Sequence, residues 1–316
     1  MSSGAVDTST FWGRVRTQLA GWRPSGRGLV ILGPVLWLTL FFVVPLLVVL
    51  YISFSTFALA QPPYAPLIVW VEDGVMQITL HFSNYLRVFQ TAIYTDAYLS
   101  SLRIAAISTV FALLIGYPMA WFIARSDEKY RTLFLMLVIL PFWTSFLLRV
   151  YAWMGFLGRN GVINNVLTGL GIIDQPIQML QTEFAVYLGV VYTYLPFMIL
   201  PLYTTLVKLD ESLLEASADL GARPFTTFRT VILPLSMPGI IAGSMLVFIP
   251  AIGEYVIPAL LGGADTLMIG RVLWDEFFAN RNWAGASALA VVMLVILVVP
   301  LMLLNRTQDD VVERGK

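Results

Sequence analysis

EASADLGARPFTTFRTVILP runs from Glu215 to Pro234, between two long apolar segments of a 316-residue chain. Upstream, Ser212, Leu213, Leu214 and Glu215 have the spacing of a capping box, a side-chain acceptor followed three residues later by a glutamate. A short helix is therefore expected to start at Ser212. Its apolar positions, Leu213, Leu214, Ala216 and Leu220, are interrupted by Glu215, Ser217 and Asp219, so its faces are mixed. Gly221 suits the left-handed residue that ends a helix, and Pro224 suits the first turn of the next, where a missing N–H costs nothing. Phe225, Phe228, Val231 and Ile232 then recur at helical spacing, and Pro234 and Pro238 are expected to end that helix. The segment reads as a two-helix elbow hinged at Gly221, too ordered for a linker.

The flanking chain sets the environment of this elbow. The sequence is 58% hydrophobic and 12% charged, whereas a soluble domain is nearer about 45–50% and 25%. A helix needs about 20 apolar residues to cross the hydrocarbon core. Residues 29–50, 104–124, 184–207 and 286–304 are uncharged throughout. Residues 132–148 are uncharged and the apolar run continues past Arg149, and 239–261 carries one charge, Glu254. An all-α integral membrane protein with six spans is expected. No alternating ten-residue pattern of a membrane barrel occurs, so strands are not expected. The first run exceeds the about 7–15 residues of a signal-peptide core and lacks a small-residue cleavage site, so it reads as a retained anchor.

Charge asymmetry orients the spans. With both termini cytoplasmic, that side holds Arg14, Arg16, Arg23, Arg27, Arg125, Lys129, Arg131, Lys208, Arg223, Arg229, Arg306, Arg314 and Lys316, thirteen of the 19 basic residues. The positive-inside rule favours this orientation, which puts the elbow in the cytoplasm. The expected division is a cytoplasmic segment 1–28, a first span 29–54, an external loop 55–97, a five-helix core 98–304 containing the loop 208–238, and a cytoplasmic tail 305–316. The outer loops, including 158–183 and 262–284, offer surfaces for docking.

Several classes are excluded. Nineteen basic residues balance nineteen acidic ones, so there is no basic footprint for nucleic acid. The chain has no cysteine and one histidine, His81, so no cysteine or histidine metal cluster is expected. No phosphate-binding loop of the G-x-x-x-x-G-K-[ST] type occurs, and no nucleophile–base pair stands out in a span, so neither ATP binding nor catalysis is expected of this chain. Glu254 is the one acidic group well inside a span. A carboxylate there costs about 2.5–3.5 kcal/mol on insertion scales and should face protein or a watery cavity. A cation passing it could also use aromatic faces, each worth about 0.5–2 kcal/mol. Trp143, Tyr151, Trp153, Tyr192, Tyr194 and Tyr255 are the candidate rings, and Arg149 or Arg271 could instead pair with Glu254. Pro118, Pro141, Pro196, Pro201, Pro250 and Pro258 should kink their helices.

The elbow resembles the EAA loop of ABC-importer permeases. That pattern places Glu-Ala-Ala ahead of a glycine six positions after the glutamate and ends on hydrophobic-x-Leu-Pro. The matching residues are Glu215, Ala216, Ser217, Gly221, Val231, Leu233 and Pro234, with Ser217 in place of the second alanine. The stretches LVILPFWTSFLLRVYAWMGFL, VYTYLPFMILPLYTTL and IAGSMLVFIPAIGEYVIPALLGG, with IGRVLWDEFF, resemble permeases of the polyamine-uptake family. The resemblance implies a type I ABC-importer permease fold in a bacterial inner membrane. It further implies that Glu215, Ala216, Ser217, Gly221, Phe225, Phe228, Leu233 and Pro234 couple to an ATPase. Two ATPase subunits using ATP and magnesium, a second homologous permease and an external polyamine-binding protein are the implied partners. The implied substrate is a polyamine, putrescine first. Permeases for spermidine, ferric ion or an opine, and more remotely an ion-coupled carrier, are the alternatives.

Overall fold

The computed structural model describes residues 26–71 and 75–314. The expected N-terminal segment 1–28 lies outside the described residues as far as residue 25, and residues 315–316 do too. The described residues begin with α1 (Gly26–Leu38), a widened π turn at Thr39–Val43 and α2 (Val44–Ser53). Together they form one apolar span, Val30–Ser53, that is almost wholly exposed.

The loop that follows is structured. Strands β1 (Ile68–Val71) and β2 (Val75–Ile78) pair antiparallel, with Ile68 opposite Ile78 and Val71 opposite Val75. This corrects the expectation of no strands. The membrane part is helical, but the β-branched runs here form a hairpin outside the spans. Helix α3 (Ser83–Gln90) leads into α4 (Ala92–Arg125), which begins well ahead of the expected core boundary at 98.

The core is a three-helix slab of α4, α8 (Glu183–Leu206) and α11 (Leu233–Ile252). Helix α4 presents a buried stripe of small residues, Ala97, Ser101, Ala105, Ser108, Ala112 and Ala120. In a membrane, small residues associate helices by letting backbones approach. At the centre, Met198 of α8 is fully buried between two glycines on different helices. A Cβ on Gly116 would lie 3.0 Å from its Cγ, and one on Gly243 would lie 2.8 Å from its Sδ. One turn before Gly243, Gly239 packs as closely on α8, where a Cβ would lie 2.6 Å from Thr205 Oγ1. Thr182 caps α8, its Oγ1 accepting from the Ala185 N–H at 3.3 Å.

Prolines shape the remaining spans. The expected third span is not continuous: α5 (Glu128–Ile139) passes into a 3-10 turn at Leu140–Trp143. The chain then turns by 90° into α6 (Phe146–Leu157) and α7 (Val162–Gly169). Pro141 lacks the N–H that would bond the carbonyl four residues back and sits at the start of the 3-10 turn, and the break itself falls at Thr144 and Ser145, whose backbones are extended. At the elbow the reverse holds. Pro234 and Pro238 do not end a helix: α10 (Pro224–Thr227), a π turn at Phe228–Ile232 and α11 run on as one 29-residue helix, Pro224–Ile252. A π turn also precedes Pro45 in the first span. The wider turn rearranges the carbonyls that each proline leaves without a donor.

Beyond α11 come α12 (Val256–Leu261), α13 (Ile269–Trp274) with a π turn at Asp275–Ala279, and α14 (Trp283–Arg314). Helix α14 packs on α2 and α3, holds the apolar stretch Trp283–Val298 and continues through the expected tail. Among the described residues, four helices are long and apolar enough to cross a membrane. The bent pair makes a fifth if it is taken as one span, and the shorter apolar stretch in α14 lies where the sixth is expected.

Candidate functional site

The elbow's first arm is α9 (Glu211–Asp219). It starts one residue before the expected Ser212, because Asp210 is the cap: its Oδ1 accepts from the Ser212 N–H at 3.0 Å. That bond from Ser212 holds the Asp210 carboxyl below its ordinary range. The arm ends in a Schellman motif. Gly221 N donates to Ala218 O at 2.8 Å and Ala222 N to Ser217 O at 3.0 Å, with Gly221 at φ +78°. Pro224 opens the second arm, as the sequence predicts.

The side chains of the elbow divide by direction. Phe228 turns inward and meets Tyr117 of α4 edge to face, with centroids 5.6 Å apart. The Tyr117 hydroxyl lies 2.9 Å from Ser236 Oγ of α11. Arg125, at the end of α4, donates to Glu211 at 2.8 Å and lies over the Trp121 ring. Ser217 is buried, and its Oγ lies 2.8 Å from Thr227 Oγ1 on the other arm. Leu220 and Phe225, on either side of Gly221 in the sequence, are 88% and 73% exposed and offer an apolar knob to a partner. Glu215 and Ala216 are exposed beside it, while Leu233 and Pro234 sit at the start of α11. Leu220 and Asp210 were not among the expected site residues. An apolar residue next to the terminating glycine and an aspartate ahead of the acidic first turn were their signals.

Glu254 is not inside a helix. Helix α11 ends at Ile252, and Glu254 occupies the break before α12. Pro258 imposes this break, since its ring would clash with the Glu254 carbonyl in a continuous helix. The carboxylate is buried and well partnered. Its Oε1 accepts from the Val256 N–H at 3.0 Å and the Ile257 N–H at 3.4 Å, capping α12. Its Oε2 accepts from the Tyr194 hydroxyl of α8 at 2.5 Å. Gly270 of α13 closes on the same break, where a Cβ would lie 2.7 Å from the Glu254 carbonyl oxygen. Among the described residues Glu254 makes no ion pair with Arg149 or Arg271. Arg149 lies instead over the Phe142 and Phe146 rings, 5.0 and 5.8 Å from their centroids.

The expected aromatic residues fall into separate groups. Tyr194 joins Glu254. Tyr255 stacks on Trp274 of α13 at 4.6 Å and 17°, a partner that sequence reasoning left within IGRVLWDEFF. Trp153 and Tyr192 meet edge to face at 5.4 Å, linking α6 to α8. Trp143 and Tyr151 are 84% and 55% exposed and join neither group.

The described residues form a helical membrane bundle with an ordered two-helix elbow continuous with a core span. The chain belongs to the family of binding-protein-dependent transport system inner membrane components, whose profile matches residues 112–314. It is 44% identical to the spermidine/putrescine transport system permease protein PotB of Haemophilus influenzae over 83% of this chain and 86% of that protein. It is 40% identical to the PotB of Escherichia coli K12 over 83% and 90%. A solved bacterial alginate ABC transporter, in complex with an alginate-bound periplasmic protein, shares the fold at TM-score 0.68 and 16% identity, over 95% of this chain and 98% of that one. The protein is thus an inner-membrane permease subunit of an ABC importer, not an enzyme, and ATP hydrolysis belongs to a separate subunit. Membership removes the ion-coupled carrier from consideration.

Proposed function

We propose that this permease subunit carries polyamines inward, putrescine among them, by alternating access. The observation that carries the reading is the buried carboxylate of Glu254 at the α11 break, beside the stacked Tyr255–Trp274 pair. A flexible polycation needs a fixed anion and polarizable ring faces, and a bundle interior supplies few of either. The names of the PotB relatives point to the same substrate class. Trp153, Tyr192 and Tyr194 extend the proposed path, while the exposed Trp143 and Tyr151 are better placed to meet a neighbouring chain.

In this reading the elbow faces the cytoplasm, as the charge count favours, and its knob of Leu220 and Phe225 seats in an ATPase subunit. Glu215, Ala216 and Gly221 present that knob, and Phe228, Leu233 and Pro234 join it to the core. Two ATPase subunits use ATP and magnesium to drive the motion, a second homologous permease completes the path, and an external binding protein delivers the substrate to the outer loops. The test is uptake of labelled putrescine by membrane vesicles carrying the whole complex, in competition with unlabelled spermidine, ferric citrate or an opine. Competition by polyamines alone supports the reading. Uptake that ignores both polyamines refutes it, and a strong preference for spermidine moves the assignment to that substrate.

A further inference from the structure

The two arms of the elbow are fastened to each other and to α4 by three separate ties. Glu211 of α9 is held by Arg125. Phe228, after α10, is held by Tyr117. Across the elbow itself, Ser217 of α9 meets Thr227 of α10. Tyr117, Phe228 and Thr227 of these ties line an apolar groove of about 550 Å³ together with Leu214, Ala218 and Pro224. An elbow tied at three points resists bending, whereas one with a tie missing folds about Gly221.

We propose that Ser217 and Thr227 form a latch that fixes the elbow's angle, so that Gly221 sets a bend and does not act as a hinge. Both hydroxyls had local alternatives. Serine and threonine in a helix can bond the carbonyl four residues back. Thr230 does so, donating to Thr226 O at 2.8 Å, whereas Ser217 and Thr227 bond each other across the elbow. Ser217 is buried, so without Thr227 its hydroxyl would fall back on a carbonyl of its own helix and the bond across the elbow would be lost. It stands where the EAA pattern has an alanine, so the latch adds a bond that the pattern does not contain. Ser217 and Thr227 are positioning residues: they act on the ATPase only through the knob of Leu220 and Phe225.

This rests on the coupling role proposed above, and the test separates the two. The chain has no cysteine, so Ser212→Cys with Thr230→Cys gives one spin-labelled pair across the elbow in a complex whose other subunits are cysteine-free. The expected result is one narrow distance that is the same with and without nucleotide. Thr227→Val removes the hydroxyl at constant shape and should broaden that distance. It should also lower substrate moved per ATP by about two- to tenfold, the scale set by one hydrogen bond. Thr227→Ser keeps the hydroxyl and should preserve both readouts, and Ser217→Ala should match Thr227→Val without adding to it. A nucleotide-dependent distance in the parent complex overturns the latch. So does Thr227→Val matching the parent, or broadening with no loss of coupling. If Leu220→Ala and Phe225→Ala leave coupling untouched, the coupling role fails, while the label distances still report on the latch.

Discussion

Glu254→Gln separates a carboxylate that meets the substrate from one that only caps α12. Glutamine keeps an oxygen for the Val256 and Ile257 amides, placed 3.0 and 3.4 Å from the present Oε1. It sets an amide against the Tyr194 hydroxyl in place of an acceptor at 2.5 Å. The lost bond to a charged group is worth about 1.5–3 kcal/mol. A neutral amide is easier to bury than a carboxylate, which offsets much of that loss. Assembly should therefore change by about 1 kcal/mol. The substrate loses more. A cation 4 Å from a carboxylate gains about 4 kcal/mol at the effective dielectric of a protein. If half survives desolvation, uptake at low substrate falls by about tenfold to a hundredfold. Tyr194→Phe gives the contrast: it keeps the charge, leaves uptake within about threefold and lowers stability by about 1–2 kcal/mol. The assay is initial uptake of labelled putrescine by vesicles, with basal ATP hydrolysis and thermal unfolding as controls for assembly. Unaltered uptake by Glu254→Gln refutes the reasoning and leaves Glu254 as a helix cap.

Other perturbations test the packing around this site. Gly243→Ala drives a methyl to 3.0 Å from the Met198 carbonyl oxygen and should destabilise the α8–α11 crossing by about 1–3 kcal/mol, read as a lower unfolding midpoint of the complex. A Cβ at Gly221 meets nothing within 4 Å, so Gly221→Val acts through backbone strain alone, about 1–2 kcal/mol. It should reduce substrate moved per ATP, and normal coupling would remove the need for a left-handed residue there. Leu220→Ala and Phe225→Ala should weaken copurification of the ATPase, whereas Phe228→Ala should lower stability with docking retained. The Asp210 carboxyl lies below its ordinary range, so its cap is fully formed above the unfolded carboxyl pKa and is lost as pH falls through the depressed folded value. Protection of the α9 amides from exchange should be constant near neutrality and fall only in strong acid, and a decline near neutral pH would contradict this.

The sequence made the elbow and the spans readable because both rest on short-range signals. Gly221 and Pro224 act within one turn, and an uncharged run of spanning length has few other uses in a chain this apolar. What it hid was set by competition between such signals or by distant contacts. Ser212 and Asp210 both suit a cap, and only the folded backbone shows that Asp210 holds it. Pro141 and Pro234 look alike as breakers, yet the chain bends by 90° just after the first while the second is absorbed by a π turn. Glu254 looked embedded in a span because the clash that expels it comes from Pro258, four residues later. The pairing of Tyr194 with Glu254 spans sixty positions and leaves no periodic trace.

The helix Pro224–Ile252 begins in the elbow and stops two residues short of Glu254. At about 1.5 Å per residue it is about 40 Å long, so a tilt of about 5° at one end swings the other through about 4 Å. That arc exceeds the reach of a hydrogen bond. Every bond Glu254 makes must then either break on each stroke or travel with it. Met198, gripped by Gly116 and Gly243, ties α8 to this helix, so Tyr194 would ride along with it. In the proposed mechanism the carboxylate and its tyrosine would move as cargo of the same lever, and the stroke would carry a ready-made anion past whatever stands still on the far side of the path.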